Sequence, residues 1–307
     1  MKRKHVMKSP VMIVIGIVLV VYVAFLIILI GWGLTAALKS TREGVNAFRN
    51  HEWGLPVGWP WEWEWSNFKN ILAYIYTDIT IYDSATKTST ILRVDIVNML
   101  GNTMMYTFVG AAVSTFVPCI VAYVTSKTDF KFTLFYDAVI IVIMIIPIVG
   151  SQPSMLQVLN TLGIYDSWIG YLLQRAHCIS VYYLIFQASF KAIPYSYSEA
   201  AYIEGAGELT VMLRIVLPLA RTLIMTIFLI YFITEWNDYN TPLIYMPSYP
   251  SLAYGIFYLV FQNSENKIAN APMKMAGSYL LFTPMLILFI CFRKVIMQNL
   301  SMGGVKE

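Results

Sequence analysis

Apolar residues are concentrated in six long runs along this chain of 307 residues. The first run, Val11 to Leu34, contains 24 residues without a charge, and about 20 apolar residues are enough for a helix to cross the hydrocarbon core of a bilayer. The fourth run is interrupted by Arg175 and His177. The pattern predicts an all-α membrane protein with six transmembrane helices, the later five at about 98–124, 132–150, 168–190, 217–236 and 276–296.

The composition supports this prediction and excludes several other classes of protein. Apolar residues make up 58% of the chain and charged residues 12%, with a mean hydropathy of +0.63, whereas soluble domains carry about 25% charged residues. Aromatic residues at 15% exclude intrinsic disorder, and three cysteines in so long a chain exclude a disulfide scaffold. The net charge of +4 is too small and too scattered to indicate nucleic acid as a partner.

The distribution of basic residues predicts the orientation of the chain in the membrane. Lys and Arg collect on the cytoplasmic side of such proteins. With the N-terminus inside, most basic residues fall on that side, and the short outer segment 151–167 has none. We therefore expect both termini in the cytoplasm. The predicted organisation is an N-terminus with the first helix at 1–37, an extracytoplasmic loop at 38–97, a core of five helices at 98–297 and a cytoplasmic tail at 298–307.

The extracytoplasmic loop contains four tryptophans at alternating positions. Pro60, Glu62 and Glu64 separate them, which places the indoles on one side of an extended stretch. Tryptophan favours the boundary between membrane and water. We interpret the run as an interfacial anchor or a packed patch, and stacking on a sugar ring is the alternative. Its members are Trp59, Trp61, Trp63 and Trp65.

The connection between the fourth and fifth runs, residues 191–218, has the chemistry of a docking element. Ser198 before Glu199 predicts the N-cap of a helix, and Gly205 allows the chain to bend before a second helix that ends at Pro218. Small side chains let another protein approach closely, and larger ones provide contact points. The small residues are Ala200, Ala201 and Ala206, and the larger ones are Tyr202, Ile203 and Leu209.

This connection resembles the signature of the membrane subunits of ATP-binding-cassette importers. That signature is Glu-Ala-Ala, three residues, Gly, nine residues, Ile, one residue and Leu-Pro. Glu204 stands where many relatives have Asp, and Arg221-Thr222 where they have a second proline, but neither lies at a fixed position. Every fixed position and every spacing is matched, by Glu199, Ala200, Ala201, Gly205, Ile215, Leu217 and Pro218.

The resemblance implies a fold, a role for the connection and a set of partners. The implied fold is the transmembrane domain of a type I ABC importer, in which this connection is the coupling helix that fits a cleft of the cytoplasmic ATPase. Glu199 is the implied charged contact and Gly205 the corner. The implied partners are a homologous second permease, a cytoplasmic ATPase dimer that binds ATP and Mg²⁺, and an extracytoplasmic solute-binding protein, in a bacterial-type cell membrane.

A second stretch resembles the carbohydrate-uptake type within this family. The sequence from Glu235 through Trp236, Asn237 and Asp238, followed by Pro242, is similar to the Trp-Asn-acid stretch of carbohydrate permeases. It is most similar to that of subunits like the shorter permease of the maltose transporter. The resemblance therefore implies a sugar or an oligosaccharide as the transported solute.

Arg175 is a charge within an otherwise apolar run. Intramembrane charges generally require a partner, and Glu235 and Asp238 are expected near the same outer depth of the membrane. We interpret Arg175 as forming an outer ion pair with Glu235 or Asp238. The alternative is that Arg175, with the residues from Glu235 to Asp238, lines the translocation path and contacts the solute.

The chain lacks a nucleotide-binding segment of its own. No Gly-x-x-x-x-Gly-Lys-Ser/Thr sequence occurs, so we expect a partner to hydrolyse ATP. We predict no catalytic residue, no metal site and no cofactor bound by this chain. The main hypothesis is a non-catalytic permease subunit of a sugar importer. The alternatives are an ion- or proton-coupled carrier acting alone, an importer permease for a non-sugar solute, and a membrane enzyme.

Overall fold

A computed structural model describes most of the chain, and its described residues are largely helical. The basic residues at the N-terminus and the last residues of the tail, which contribute to the predicted orientation, lie outside the described residues. The described residues are 10–40, 42, 59–83, 88–127, 131–146, 150–262 and 271–300.

Helices dominate the described residues, and three of them include or precede a π-helical turn. These turns lie at Tyr106–Gly110 within α3, at Met212–Val216 within α9 and at Tyr258–Gln262 after α12. The helices are α1 (Pro10–Ala37), α2 (Ser66–Tyr74), α3 (Ile96–Lys127), α4 (Thr133–Ile145), α5 (Ser151–Thr161), α6 (Trp168–Arg175), α7 (Val181–Ala192), α8 (Ser196–Ile203), α9 (Glu208–Leu219), α10 (Arg221–Trp236), α11 (Asn240–Ile244), α12 (Leu252–Phe257) and α13 (Ala271–Leu300).

Three of the described helices are long and apolar enough to cross a membrane. They are α1, α3 and the part of α13 from Ala271 to Arg293, and they agree in position with the first, second and sixth predicted spans. Helices α9 and α10 form a fourth candidate if they are counted as one span bent by 77°. Helix α4 is shorter than its predicted run.

The fourth predicted span consists of two helices rather than one. Helix α6 ends at Arg175, and α7 begins at Val181. The side chain of Ser180 accepts a hydrogen bond from the backbone N–H of Tyr182 at 3.0 Å and so caps the start of α7. The prediction of a continuous helix over 168–190 is therefore wrong, because the polar residues at 175–180 end one helix and begin another.

An antiparallel hairpin is the feature that the all-α prediction missed. Strands β1 (Tyr76–Asp83) and β2 (Thr88–Asp95) pair along their whole length. Thr77 and Ile79 are buried while Asp78 and Thr80 are exposed, which is the period of two of a half-buried strand. β-branched residues favour this extended backbone, so an alternating pattern in the extracytoplasmic loop indicated the hairpin.

The chain divides into two compact units, the first lying within residues 1–75 and 258–283. In this unit the hydroxyl of Tyr279 in α13 donates a hydrogen bond to the carbonyl of Ile30 in α1. A Cβ atom at Gly33 would lie 2.7 Å from the Tyr279 hydroxyl oxygen. Glycine at position 33 is therefore what allows these two helices to approach closely.

The second unit lies within residues 76–257 and 284–307. Its main apolar core forms where α3, α4, α7, α8, α9 and α10 meet. Most of the side chains in this core are large, and several are aromatic. The largest buried members include Cys119, Tyr123, Ile140, Tyr183, Phe186, Phe190, Val211, Val216, Ile224 and Ile227.

A polar network crosses this core between α4 and α7. The carboxylate of Asp137 accepts hydrogen bonds from the hydroxyl of Tyr183 at 2.7 Å and from the amide of Gln187 at 2.9 Å. The Tyr183 hydroxyl also lies 2.9 Å from the hydroxyl of Thr125 in α3. Because these buried polar groups satisfy one another, the network fixes three helices in one arrangement.

Candidate functional site

The connection at 191–218 folds into two helices joined by a glycine corner. Helix α8 ends at Ile203, and α9 begins at Glu208. Gly205 adopts φ +84°, and no heavy atom lies within 4 Å of the position that a Cβ would take there. The requirement for glycine is therefore conformational rather than steric crowding, since other L-residues rarely adopt this backbone geometry.

The start of α8 differs from the sequence prediction. The helix begins at Ser196 with Tyr195 as its N-cap, and Ser198 lies buried inside the first turn. The backbone N–H groups of Ser198 and Glu199 both donate to the carbonyl of Tyr195, at 2.9 and 3.0 Å. The prediction of Ser198 as N-cap is wrong, because the turn that follows Pro194 starts the helix three residues earlier.

One side of the helix pair packs on the core of the second unit. Ala201, Val211 and Val216 are buried there, and Tyr202, Ala206, Ile215 and Leu217 pack against them while partly exposed. Three of the signature residues, Ala201, Ile215 and Leu217, therefore contact the core. Their side chains seat the pair on this core.

The other side of the helix pair is exposed and contains apolar residues. Glu199 and Ala200 are exposed at the start of α8, and Pro218 is exposed near the end of α9. Ile203 is 87% exposed and Leu209 64%. Two large aliphatic side chains, one on either side of the corner, are thus exposed together with Glu199 and Ala200.

The pair is also fastened to the neighbouring helices by polar contacts. The hydroxyl of Tyr123 in α3 donates to the Glu208 carboxylate at 3.3 Å, and Lys127 at the end of α3 donates to the carbonyl of Ile193 at 2.5 Å. Burial and the facing Glu208 carboxylate raise the pKa of Tyr202 to about 12. Glu208 therefore stands between α3 and α8, and we call Tyr123 with Glu208 the clamp.

The covalent path from the pair into α10 is bent. Helices α9 and α10 meet at 77°, and Ala220 between them leaves the helical region with ψ 6°. A π-helical turn precedes the bend at 212–216. Pro218 lacks the N–H that would continue the hydrogen-bond ladder. Besides this bent path, the helix pair is connected to the bundle by the clamp and by the shared apolar core.

A second candidate site surrounds Arg175 at the end of α6. Its Nη2 atom donates to Oε2 of Glu235 at 2.9 Å, to Oδ2 of Asp238 at 2.8 Å and to Oγ1 of Thr241 at 3.0 Å. Its Nε atom lies 2.7 Å from Oε1 of Glu235. The structure thus brings together the three charged residues that the sequence analysis singled out.

Two residues of this cluster were missed by the sequence analysis. The hydroxyl of Tyr171 donates to Glu235 at 3.0 Å and lies 2.8 Å from the carbonyl of Tyr106. Thr241 donates its hydroxyl to Asp238 as well as accepting from Arg175. Tyr171 precedes Arg175 by one helical turn and Thr241 follows Asp238 by three residues, so these spacings were the available indication.

Trp236 and Asn237 lie between the two acids in the sequence. Trp236 is buried, and Asn237 is exposed with its side-chain amide donating to the carbonyl of Ile233 in its own helix at 2.8 Å. Around the cluster the helices are closely packed, since a Cβ at Gly110 would lie 1.8 Å from the Tyr171 hydroxyl oxygen. The cluster therefore joins α3, α6 and α10 at one depth.

The long apolar helices and the buried charge cluster define a multi-pass helical membrane protein. Its family follows from comparison with known proteins. The chain belongs to the family of binding-protein-dependent transport system inner membrane components, whose sequence profile matches residues 114–302. It is a permease subunit of a binding-protein-dependent importer, and the identification made from the signature is confirmed.

Several curated proteins are similar to this chain, and some of them have sugar-related names. The chain is 23% identical over 211 residues to the inner membrane ABC transporter permease protein YcjP of Escherichia coli K12, a match that covers 68% of this chain and 75% of the relative. It is 26% identical over 218 residues to the melibiose/raffinose/stachyose import permease MelC of Bacillus subtilis, covering 70% and 78%. It is 33% identical over 151 residues to the polygalacturonan/rhamnogalacturonan permease YtcP of the same species, covering 46% and 48%.

One solved structure has a similar fold along nearly the whole chain. It is a chain in the crystal structure of a bacterial ABC transporter involved in the import of the acidic polysaccharide alginate. The TM-score is 0.65 at 18% sequence identity, with 94% of this chain and 98% of that chain covered. This similarity shows that the two chains share a fold.

The Arg175 cluster leads to a prediction about stability. We expect Arg175→Ala to lower the Tm of the assembled transporter, because Glu235 is 4% exposed and would keep a buried carboxylate without its cation. Breaking such a pair costs roughly 3–5 kcal/mol. Thermal unfolding followed by intrinsic fluorescence measures the effect, and Asn237→Ala, which alters an exposed side chain beside the cluster, is the control. A parental Tm combined with a changed solute preference would show that Arg175 contacts the solute instead.

Proposed function

We propose that this permease subunit transports a sugar or an oligosaccharide and forms half of the translocation pathway. The proposal is supported by the names of its relatives, which include permeases for melibiose, raffinose and stachyose and for polygalacturonan and rhamnogalacturonan. The stretch from Glu235 to Asp238 supports it independently, through its likeness to carbohydrate permeases. The second permease, an ATPase dimer and an external binding protein complete the proposed assembly.

The proposed topology has six spans with both termini in the cytoplasm. Helices α1, α3 and α13 are three of them, and the bent pair of α9 and α10 is the fourth. The shorter α4 and the broken pair of α6 and α7 complete the set. The basic residues Lys127, Lys191 and Arg214 near the helix pair favour placing that pair on the cytoplasmic side.

The helix pair is proposed as the coupling element that docks on the ATPase. The observation that carries this proposal is a surface with an exposed charge and exposed Ile203 and Leu209, built on a glycine corner and a packed underside. Glu199 provides a charged contact, Ala200 permits close approach, and Gly205 sets the corner. ATP and Mg²⁺ are bound by the partner subunits in this proposal.

Coupling requires the docked pair to move the spans. ATP binding brings the two ATPase subunits together, and the two helix pairs move with them. A contact biases the equilibrium between inward-facing and outward-facing states only if it differs between them. The bend at Ala220 makes the path through α10 compliant, so the clamp between Glu208 and Tyr123 carries the displacement into α3.

Two substitutions in α8 and its corner test the coupling role. Glu199→Ala removes a charge-assisted contact of ~1.5–3 kcal/mol and should weaken docking of the ATPase. Gly205→Val places a β-branched residue at φ +84° and should abolish uptake even in an assembled complex. Solute-stimulated ATP hydrolysis and uptake in reconstituted vesicles measure both effects.

The control for these substitutions is Gly101→Val in α3, where a Cβ also meets no atom within 4 Å but φ is not positive. It should transport at the parental rate. The affinity of the external binding protein for its sugar should be unchanged in every variant, because that site is on another chain. If Glu199→Ala and Gly205→Val both transport at the parental rate, the helix pair is not the coupling element.

The clamp leads to a separate prediction about efficiency. Tyr123→Phe and Glu208→Ala should each retain the bound ATPase but reduce the solute molecules imported per ATP hydrolysed several-fold, since the pair then moves without carrying α3. Glu208→Gln keeps an acceptor oxygen and should stay close to the parental ratio. Because the two residues act through one contact, the double variant should be no worse than either single one.

Tyr195→Phe is the matched control for the clamp, since it removes a hydroxyl from an exposed tyrosine of the same segment. Simultaneous measurement of uptake and ATP hydrolysis in vesicles gives the ratio directly. Strictly additive losses in the double variant, or a parental ratio in Tyr123→Phe, would contradict a role for the clamp.

A further inference from the structure

The tryptophan run of the first unit remains outside the proposed transport mechanism. All four indoles are exposed, from 46% for Trp63 to 77% for Trp61, while Pro60 between them is buried. The rings of Trp59 and Trp63 meet edge to face with centroids 5.6 Å apart. We call residues 59–65 the tryptophan segment, a large aromatic surface held at the edge of the unit.

Backbone and side-chain hydrogen bonds attach this segment to the C-terminal end of α1. The backbone N–H of Glu64 donates to the carbonyl of Leu38 at 2.8 Å. The buried amide of Asn67, just after the segment, donates to the carbonyls of Ala37 at 3.0 Å and Lys39 at 2.8 Å. The C-terminal end of the tryptophan segment, at Glu64 and Trp65, is therefore held beside residues 37–39 at the end of α1.

The exposure of helix α1 indicates whether lipid or water surrounds that position. Its most apolar 18-residue stretch has a mean hydropathy of 3.5 and none of it is buried within the protein, so its surface faces lipid. The exposed apolar surface of α1 extends from Val11 to Leu34, whereas residues 36–39 are buried within the protein. The 24 residues of this stretch span about 36 Å, which is enough to cross a hydrocarbon core of ~30 Å. The core therefore ends at or before Leu34, and the attachment of the tryptophan segment at residues 37–39 lies about one helical turn beyond it.

We infer that the tryptophan segment lies in the headgroup region of the membrane and sets the depth of α1. Indoles favour this region because the ring is apolar while its N–H remains hydrated. Glu62 is exposed and Glu64 half-buried among the indoles, as residues facing the aqueous side of that boundary would be. The position of the attachment, about one helical turn beyond the lipid-facing surface of α1, favours lipid headgroups over a sugar or a protein as the occupant.

Spin labels on the intact complex test this inference. The three native cysteines are first replaced by alanine, and single cysteines are then introduced by Trp65→Cys or, as the control, by Ile91→Cys in the hairpin, where an apolar residue is 71% exposed. The complex is reconstituted in vesicles of phosphatidylethanolamine and phosphatidylglycerol. Collision rates of each label with oxygen, which concentrates in lipid, and with a water-soluble nickel chelate are measured.

We expect the label at position 65 to collide several-fold less often with the nickel chelate than the label at position 91, and more often with oxygen. Trp59→Cys provides the same comparison if the first variant does not assemble. Equal nickel accessibility at the two positions would overturn the inference. Protection at position 65 that appears only on adding the external binding protein, or only on adding a saccharide, would also overturn it and identify that occupant.

Discussion

A buried guanidinium determines how the spans can be arranged. Arg175 stands in an apolar stretch, and a charge there is tolerated only beside acids and hydrogen-bond acceptors. Its contacts with Glu235 and Asp238, together with the bond from Tyr171 to Glu235, join α6 to α10. The hydroxyl of Tyr171 also contacts the backbone carbonyl of Tyr106 in α3. Three helices are thereby joined at one level.

In the proposed mechanism the helix pair at 191–218 has to move while it stays connected to the bundle. Gly205 turns the chain without crowding, and Ala201 and Val211 seat the pair on the aromatic core. The chain bends by 77° between α9 and α10, at Ala220. In the proposed mechanism, a displacement imposed on the exposed surface moves the pair. In our account it then reaches the bundle through the contact between Glu208 and Tyr123.

Sequence reasoning succeeded where a local pattern determines the structure. The long apolar runs of α1, α3 and α13 need only composition and length, and the glycine corner needs only the rarity of positive φ. It failed where partners distant in sequence decide. Apolar content alone predicted one helix over 168–190, although Ser180 was a readable cap. The bond between Tyr171 and Glu235 spans 64 positions, and no periodicity indicates such a pairing.

Site-specific photocrosslinking tests whether the exposed surface of the helix pair binds the ATPase. A photoreactive amino acid is placed at Ile203, which is 87% exposed, or at Ile91 in the hairpin, and the intact complex is irradiated in vesicles. We expect a crosslink from position 203 to the ATPase subunit, altered when ATP is bound, and none from position 91. Absence of an ATPase crosslink at position 203 in a complex that transports would contradict it.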